Sequence, residues 1–272
     1  MMNQNNFSIK EETAQNINIL GNFLGIRDID SLDRHCLQQQ YDLLQADVMV
    51  LFGGSILCGG DVLATAIKNK LAKKYVIVGG AGHTTETLRQ KVQQAFPSIQ
   101  TNGLTEAEIF NHYLDQVYGS KADYLETQST NCGNNITNLL SLLKQEKIDF
   151  KTIILCQDAT MQRRMDAGLR KYLSEDKTII NYASYQANVI VQNEQLLYSE
   201  PIRGMWDMDR YVNLLMGEIP RLTDDSNGYG PNGTGYIAHV EIPKDVRTAF
   251  EALKKIYGEH TREANPLYAS RV

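Results

Sequence analysis

Short apolar runs along the chain alternate with stretches in which apolar residues return every three or four positions, the pattern of strands alternating with helices. Asp47 to Gly53 (DVMVLFG), Tyr75 to Gly79 (YVIVG), Thr152 to Cys156 (TIILC) and Thr178 to Tyr185 (TIINYASY) read as buried strands, with Tyr124 to Glu126 a shorter one. Between them, Leu63, Ile67 and Leu71 mark the apolar face of one helix, and Leu88, Val92 and Ala95 that of the next. Ile136, Leu139, Leu140 and Leu143 mark a third, and Met165, Leu169 and Tyr172 a fourth. Thr105 and Glu108 form a capping box that opens a helix running through Val117 to Gly119. A similar box, Ser8 with Glu11, predicts an opening helix from about Ile9, carrying Ile17, Leu20 and Leu24 and ending at Gly25.

This alternation predicts an α/β fold: a Rossmann-like three-layer sandwich with a mainly parallel sheet of about five strands and right-handed crossovers. Residues 1–46 are expected to form an N-terminal helical segment packed on the core, and residues 47–185 the Rossmann-like core itself. Residues 186–272 change rhythm and predict a smaller, mostly helical appendage. It comprises a helix near Asp207 to Met216, a Gly/Asp-rich loop from Arg221 to Gly235, a strand from Tyr236 to Ile242 and a helix after Pro243.

A formal net charge of −5 argues against a generic nucleic-acid binder. Cys36, Cys58, Cys132 and Cys156 form no C-x-x-C pair, and His35, His112, His239 and His260 show no ligand spacing, so neither a metal site nor a disulfide framework is expected. The opening MMNQNNFSIK lacks the apolar core of a secretory signal, and no run approaches the roughly 18–20 apolar residues of a membrane span. A cytoplasmic protein without direct membrane insertion is the expectation.

Candidate chemistry concentrates in the strand-to-helix turns, where ligands bind in open α/β sheets. Gly53 and Gly54 follow the first strand, and Gly79, Gly80, Gly82 and His83 the second; the glycines allow backbone N–H groups to approach a ligand closely. They spell neither a P-loop nor G-x-G-x-x-G. After the third strand come Glu126, Ser129, Asn131 and Asn135, with Ser129 or Thr130 expected to cap the following helix. After the fourth come Gln157, Asp158, Arg163 and Arg164. The two arginines would lie beside the positive end of a helix macrodipole, which a bound anion or an ion pair with Asp158 would offset. Glu126 and Glu106 are the candidate general bases, with Asp158 a third candidate catalytic carboxylate. Ser55, Ser129 and Cys132 have no identifiable base partner. Asp224, Asp225 and Tyr229 of the long loop could close over a ligand, and Trp206 reads as a packing anchor.

Five segments carry a likeness: GGAGHTT at Gly79 to Thr85, TEAE around Glu106, QSTNCGNN at Gln128 to Asn135, QDATMQRR at Gln157 to Arg164 and GEIPRLTDDSNGYGP at Gly217 to Pro231. Through them nearly the whole chain resembles the YdcF-like branch of the bacterial ElyC/SanA/YdcF family. The resemblance implies a Rossmann-like fold whose polar elements line one cleft, and it brings no agreed reaction. Many members of the wider family carry an N-terminal membrane segment, and some are linked to envelope construction; no such segment is read here. The function expected is binding of a small anionic ligand at the C-terminal ends of the strands, with hydrolysis or group transfer left open. A nucleotide, a phosphorylated metabolite or an adenosyl cofactor such as S-adenosylmethionine would suit that crevice. The alternatives are a non-catalytic ligand sensor or partner-binding protein, and a peripheral factor in envelope assembly.

Overall fold

A computed structural model describes residues 2–54, 56–82 and 84–258, without the side chains of residues 2–7. Two helices, α1 (Met2–Leu24) and α2 (Arg34–Tyr41), precede β1 (Ala46–Phe52). Then follow α3 (Cys58–Asn69), β2 (Ala72–Val78), α4 (Thr85–Ala95), α5 (Glu106–Tyr118), β3 (Tyr124–Glu126), α6 (Cys132–Gln145), β4 (Thr152–Cys156), α7 (Gln162–Arg170) and β5 (Thr178–Asn181). The five strands form one all-parallel sheet in the order β3-β2-β1-β4-β5.

Successive side chains of a strand point to opposite faces, so a strand covered on both sides must be apolar throughout. On β1, Val48, Val50 and Phe52 face one way, packing with Ile136 and Leu139 of α6 and Met165 and Leu169 of α7. Met49 and Leu51 face the other way, toward Leu63 of α3, Leu88 of α4 and Phe110 of α5. Helices therefore cover both faces. The strand order reverses between β1 and β4, which opens a crevice at their C-terminal ends.

The remaining elements are an antiparallel hairpin of β6 (Val189–Gln192) and β7 (Gln195–Tyr198), then α8 (Met208–Leu222) and α9 (Lys244–Tyr257). Ile17, Leu20 and Leu24 of α1 share an apolar cluster with Tyr211 and Leu215 of α8 and Val246 and Leu253 of α9. The N-terminal helix thus packs with the C-terminal elements. Among the described residues, no helix is long and apolar enough to cross a membrane.

Three local expectations are corrected. Helix α1 begins at Met2, which puts Ser8 inside it and leaves no capping box there. Tyr236 to Ile242 is not a strand: the Ile237 N–H donates to the Tyr229 carbonyl and the Ala238 N–H to Ala167, so neither joins a ladder. The hairpin was not anticipated; its two-residue turn holds Asn193 and Glu194 at φ of 50° and 59°, without a glycine to announce it. Ile17 is fully buried. Replacing it by alanine is expected to cost about 2–5 kcal/mol in denaturant unfolding; an unchanged midpoint would mean that α1 is not integral to the fold.

Candidate functional site

A cavity of about 100 Å³ lies where β1, β2, β3 and β4 end. Gly53 and Gly54 come from the turn after β1, and Gly80 and Gly82 from the turn after β2. Ser129, Thr130, Asn131, Cys132 and Asn135 follow β3; Asp158, Thr160 and Met161 follow β4. Thr84 and Glu106 stand at the starts of α4 and α5, while Trp206 and Leu214 bring in the C-terminal elements. Four helices begin on this wall, and the unpaired amides of a helix's first turn carry partial positive charge. Among the described residues, no arginine or lysine lines the hollow.

Glu106 is placed by local sequence and by docking. The capping box of Thr105 and Glu108 makes it the first residue of α5. Its N–H donates to the Gly80 carbonyl at 3.0 Å, and the Ala107 N–H to Gly79 at 2.8 Å, which fixes the helix start on the end of β2. The side chain is 7% exposed. Oε1 accepts from the hydroxyls of Thr84 and Thr85, each at 2.9 Å. Thr85 Oγ1 accepts the Gly82 N–H at 2.7 Å, so its own proton is directed to Glu106. Oε2 is left beside Gly53, where a Cβ would stand 2.6 Å from it. Burial raises the Glu106 pKa, opposed by the two threonine hydroxyls. With Oε1 engaged as an acceptor, the neutral acid carries its proton on Oε2.

The other expected carboxylates are occupied differently. Glu126 stands outside the wall of the hollow: its Oε1 accepts from Gln128 N at 2.6 Å, Ser129 N at 3.1 Å and Asn138 Nδ2 at 3.1 Å. It shapes the turn after β3 rather than facing a ligand. Asp158 does line the hollow, yet Oδ1 accepts from Thr160 N, Thr160 Oγ1 and Tyr185 OH at 2.9, 2.8 and 2.7 Å. Its Oδ2 accepts from the Trp206 indole at 3.0 Å. Nor does Asp158 cap α7, whose N-cap is Met161 without a side-chain bond.

The expectation that Arg163 and Arg164 face an anion is corrected by their placement. Arg164 lies against Glu218 of α8, with Nη2 to Oε1 at 2.9 Å and a second bond from Nε to Oε2; the two side chains are 11% and 3% exposed. Its positive charge meets a buried carboxylate from a distant helix. Arg163 donates to the Phe23 carbonyl and stacks over the Phe23 ring, 4.1 Å from its centroid. Asn131, not Ser129 or Thr130, caps α6, its Oδ1 accepting from Asn134 N at 3.0 Å. Ser129 Oγ instead accepts the Gly80 N–H at 3.1 Å.

Of the residues proposed from sequence, Gly53, Gly54, Gly80, Gly82, Glu106, Ser129, Asn131, Asn135 and Asp158 meet at the hollow. Gly79, Glu126, Gln157, Arg163 and Arg164 do not line it, and His83 lies outside the described residues. Asp224, Asp225 and Tyr229 are absent from its wall; Asp224 holds Asn232 N and His239, and Asp225 holds Asn227 N, within the loop's own turns. Sequence reasoning missed Thr84 and Thr160. Thr84 had a signal, a Thr-Thr pair ahead of a helix at a strand-end turn. Three metal-capable side chains, Asp33, His35 and Cys36, gather at the start of α2, away from the hollow; Ser31 and the Cys36 N–H already bond the Asp33 carboxylate. No family model matches the sequence.

Three substitutions follow from this geometry. A Cβ on Gly80 would stand 2.0 Å from the Ser129 carbonyl oxygen and 2.8 Å from that of Thr127, both backbone. Gly80→Ala is expected to cost at least about 1–3 kcal/mol by urea unfolding; a neutral effect would contradict this packing. Glu218→Ala leaves the Arg164 charge buried and unpaired, for a loss of about 3–5 kcal/mol in the same measurement. For Glu106, the folded chain holds a proton that the unfolded chain releases near 4.5. Its stabilising contribution is complete below that value and is lost as pH rises through the raised pKa. Glu106→Gln is therefore expected to flatten that part of the stability–pH curve, and an unaltered slope counts against a raised pKa.

Proposed function

We propose that the hollow binds a small ligand through an anionic group, with Glu106 as the acid–base group that faces it. The group sits on the starts of α4, α6 and α7 and on the side-chain amide of Asn135. The single observation that carries this reading is the convergence of these helix starts on a cavity whose one open carboxyl oxygen, Glu106 Oε2, belongs to a buried side chain with a raised pKa. A neutral carboxyl donates to an anion's oxygen, whereas an ionised one would repel it. Neutral donors and helix ends thus take the part expected of the arginines.

The volume of about 100 Å³ suits a phosphate- or carboxylate-sized group. Sites that enclose a whole ligand run to roughly 300–1,000 Å³. In a nucleotide, a phosphorylated metabolite or S-adenosylmethionine, the larger part would extend beyond the hollow. Hydrolysis or group transfer on such a ligand would use Oε2 to give or take a proton. The likeness to the YdcF-like family, and with it a bacterial and cytoplasmic setting, belongs to the same proposal. A second reading, binding without turnover, is favoured by one observation: both oxygens of Asp158 are taken up by protein donors.

Trp206 is the sole tryptophan, and its indole touches the wall through Asp158. Titration with inorganic phosphate, adenosine monophosphate and S-adenosylmethionine is expected to give a saturable change in its emission with at least one of them. Asn135→Ala should weaken that binding roughly 5-fold, the worth of about 1 kcal/mol for one hydrogen bond. Affinity should fall as pH rises through the Glu106 pKa in the wild type and stay level in Glu106→Gln. Absence of any saturable signal up to millimolar ligand would overturn the anion site; binding without product on prolonged incubation would select the sensor.

A further inference from the structure

Behind the hollow lies a second, much smaller chamber that shares Gly54 and Asp158 with it and is otherwise walled by β1, α3, α5 and the end of β4. Its volume is about 10 Å³, room for a single water molecule. Among the described residues of its wall, two buried polar groups lack a hydrogen-bond partner: Gln157 Nε2 and Ser184 Oγ. Gln157 is 1% exposed and Ser184 5%. The amide cannot turn its oxygen inward without loss, because Gln157 Oε1 accepts the Asp158 N–H at 2.7 Å. Ser184 is held opposite by its own N–H, which donates to the Gln157 carbonyl at 2.9 Å. Its hydroxyl has the Cys58 thiol as a polar neighbour, a weak partner at best.

We infer that this chamber is a binding site for one ordered water, bridging Gln157 Nε2 and Ser184 Oγ at the floor of the ligand hollow. The chemistry of the wall selects the occupant. An amide N–H needs an acceptor, which excludes an ammonium ion of the same size. Asp158 in the wall and the volume exclude chloride. Water accepts from Gln157 and exchanges a hydrogen bond with Ser184, satisfying both orphans at once; buried polar groups left unpaired are rare in native proteins. The site stands independently of whether the hollow binds an anion.

Ser184→Ala gives opposite results for a filled and an empty chamber. With water bound, the substitution deletes one of its anchors, and the melting temperature is expected to fall by about 2–4 °C, the shift that follows from losing one hydrogen bond in a chain of this size. With an empty chamber it removes an unsatisfied hydroxyl, so the melting temperature would hold or rise, which would overturn the inference. A crystal structure of the wild type at about 1.5 Å supplies the second measurement. Density for one water within hydrogen-bond distance of both atoms supports the site, and a vacant chamber refutes it.

Discussion

The candidate site depends on a backbone contact between three segments. The end of β2 runs so close to the turn after β3 that Gly80 has the Ser129 and Thr127 carbonyls where a side chain would be. The same stretch offers the carbonyls of Gly79 and Gly80 to the first two amides of α5. A helix that spends its leading N–H groups on a strand end is fixed in position by them. Glu106, as the first residue of that helix, therefore enters the hollow in a set orientation and at a set depth. Gly53, Gly79 and Gly80 at these strand ends serve close approach between protein segments.

Around that contact the acidic groups divide their labour. Glu126 folds the turn that brings Ser129 and Asn131 forward, Asp158 ties the turn after β4 to Tyr185 and Trp206, and Glu218 neutralises Arg164. Glu106 takes two threonine hydroxyls on Oε1 and leaves Oε2 beside Gly53, and its burial raises its pKa. Three carboxylates tie the surrounding turns and helices together, and Glu106 faces the hollow. Lys91 reinforces the arrangement from outside, with Nζ bonded to the Gly204 carbonyl at 2.6 Å and 4.4 Å from the Trp206 ring centroid, holding the segment that carries the tryptophan.

What the chain discloses about itself is what its neighbours along the backbone determine. The apolar run of β1 and the Thr105/Glu108 box can be read because period and spacing are local, and the turns at successive strand ends pointed to eight residues that meet at the hollow, with Glu106 the ninth from its helix start. The arginines could not be read, because Arg164 finds its partner 54 residues away on a helix of the C-terminal region. Ser129, Thr130 and Asn131 are all good caps, so composition cannot choose among them; the choice is made when the Gly80 N–H claims the Ser129 hydroxyl. The hairpin stayed hidden because Asn193 and Glu194 take up left-handed backbone without glycine. Tyr236 to Ile242 has the apolar content of a strand and no strand beside it to pair with.

The packing of α1 against α9 has a consequence during synthesis. About 220 residues separate Leu24 from Lys244, and a ribosome adds roughly 5–20 residues per second, so α1 waits on the order of ten to forty seconds for its partner to emerge. Until β6, α8 and α9 have emerged in turn, Ile17, Leu20 and Leu24 present an oily stripe to the cell. Nascent chains of this protein should accordingly be clients of ribosome-associated chaperones until the elements that cover α1 have emerged.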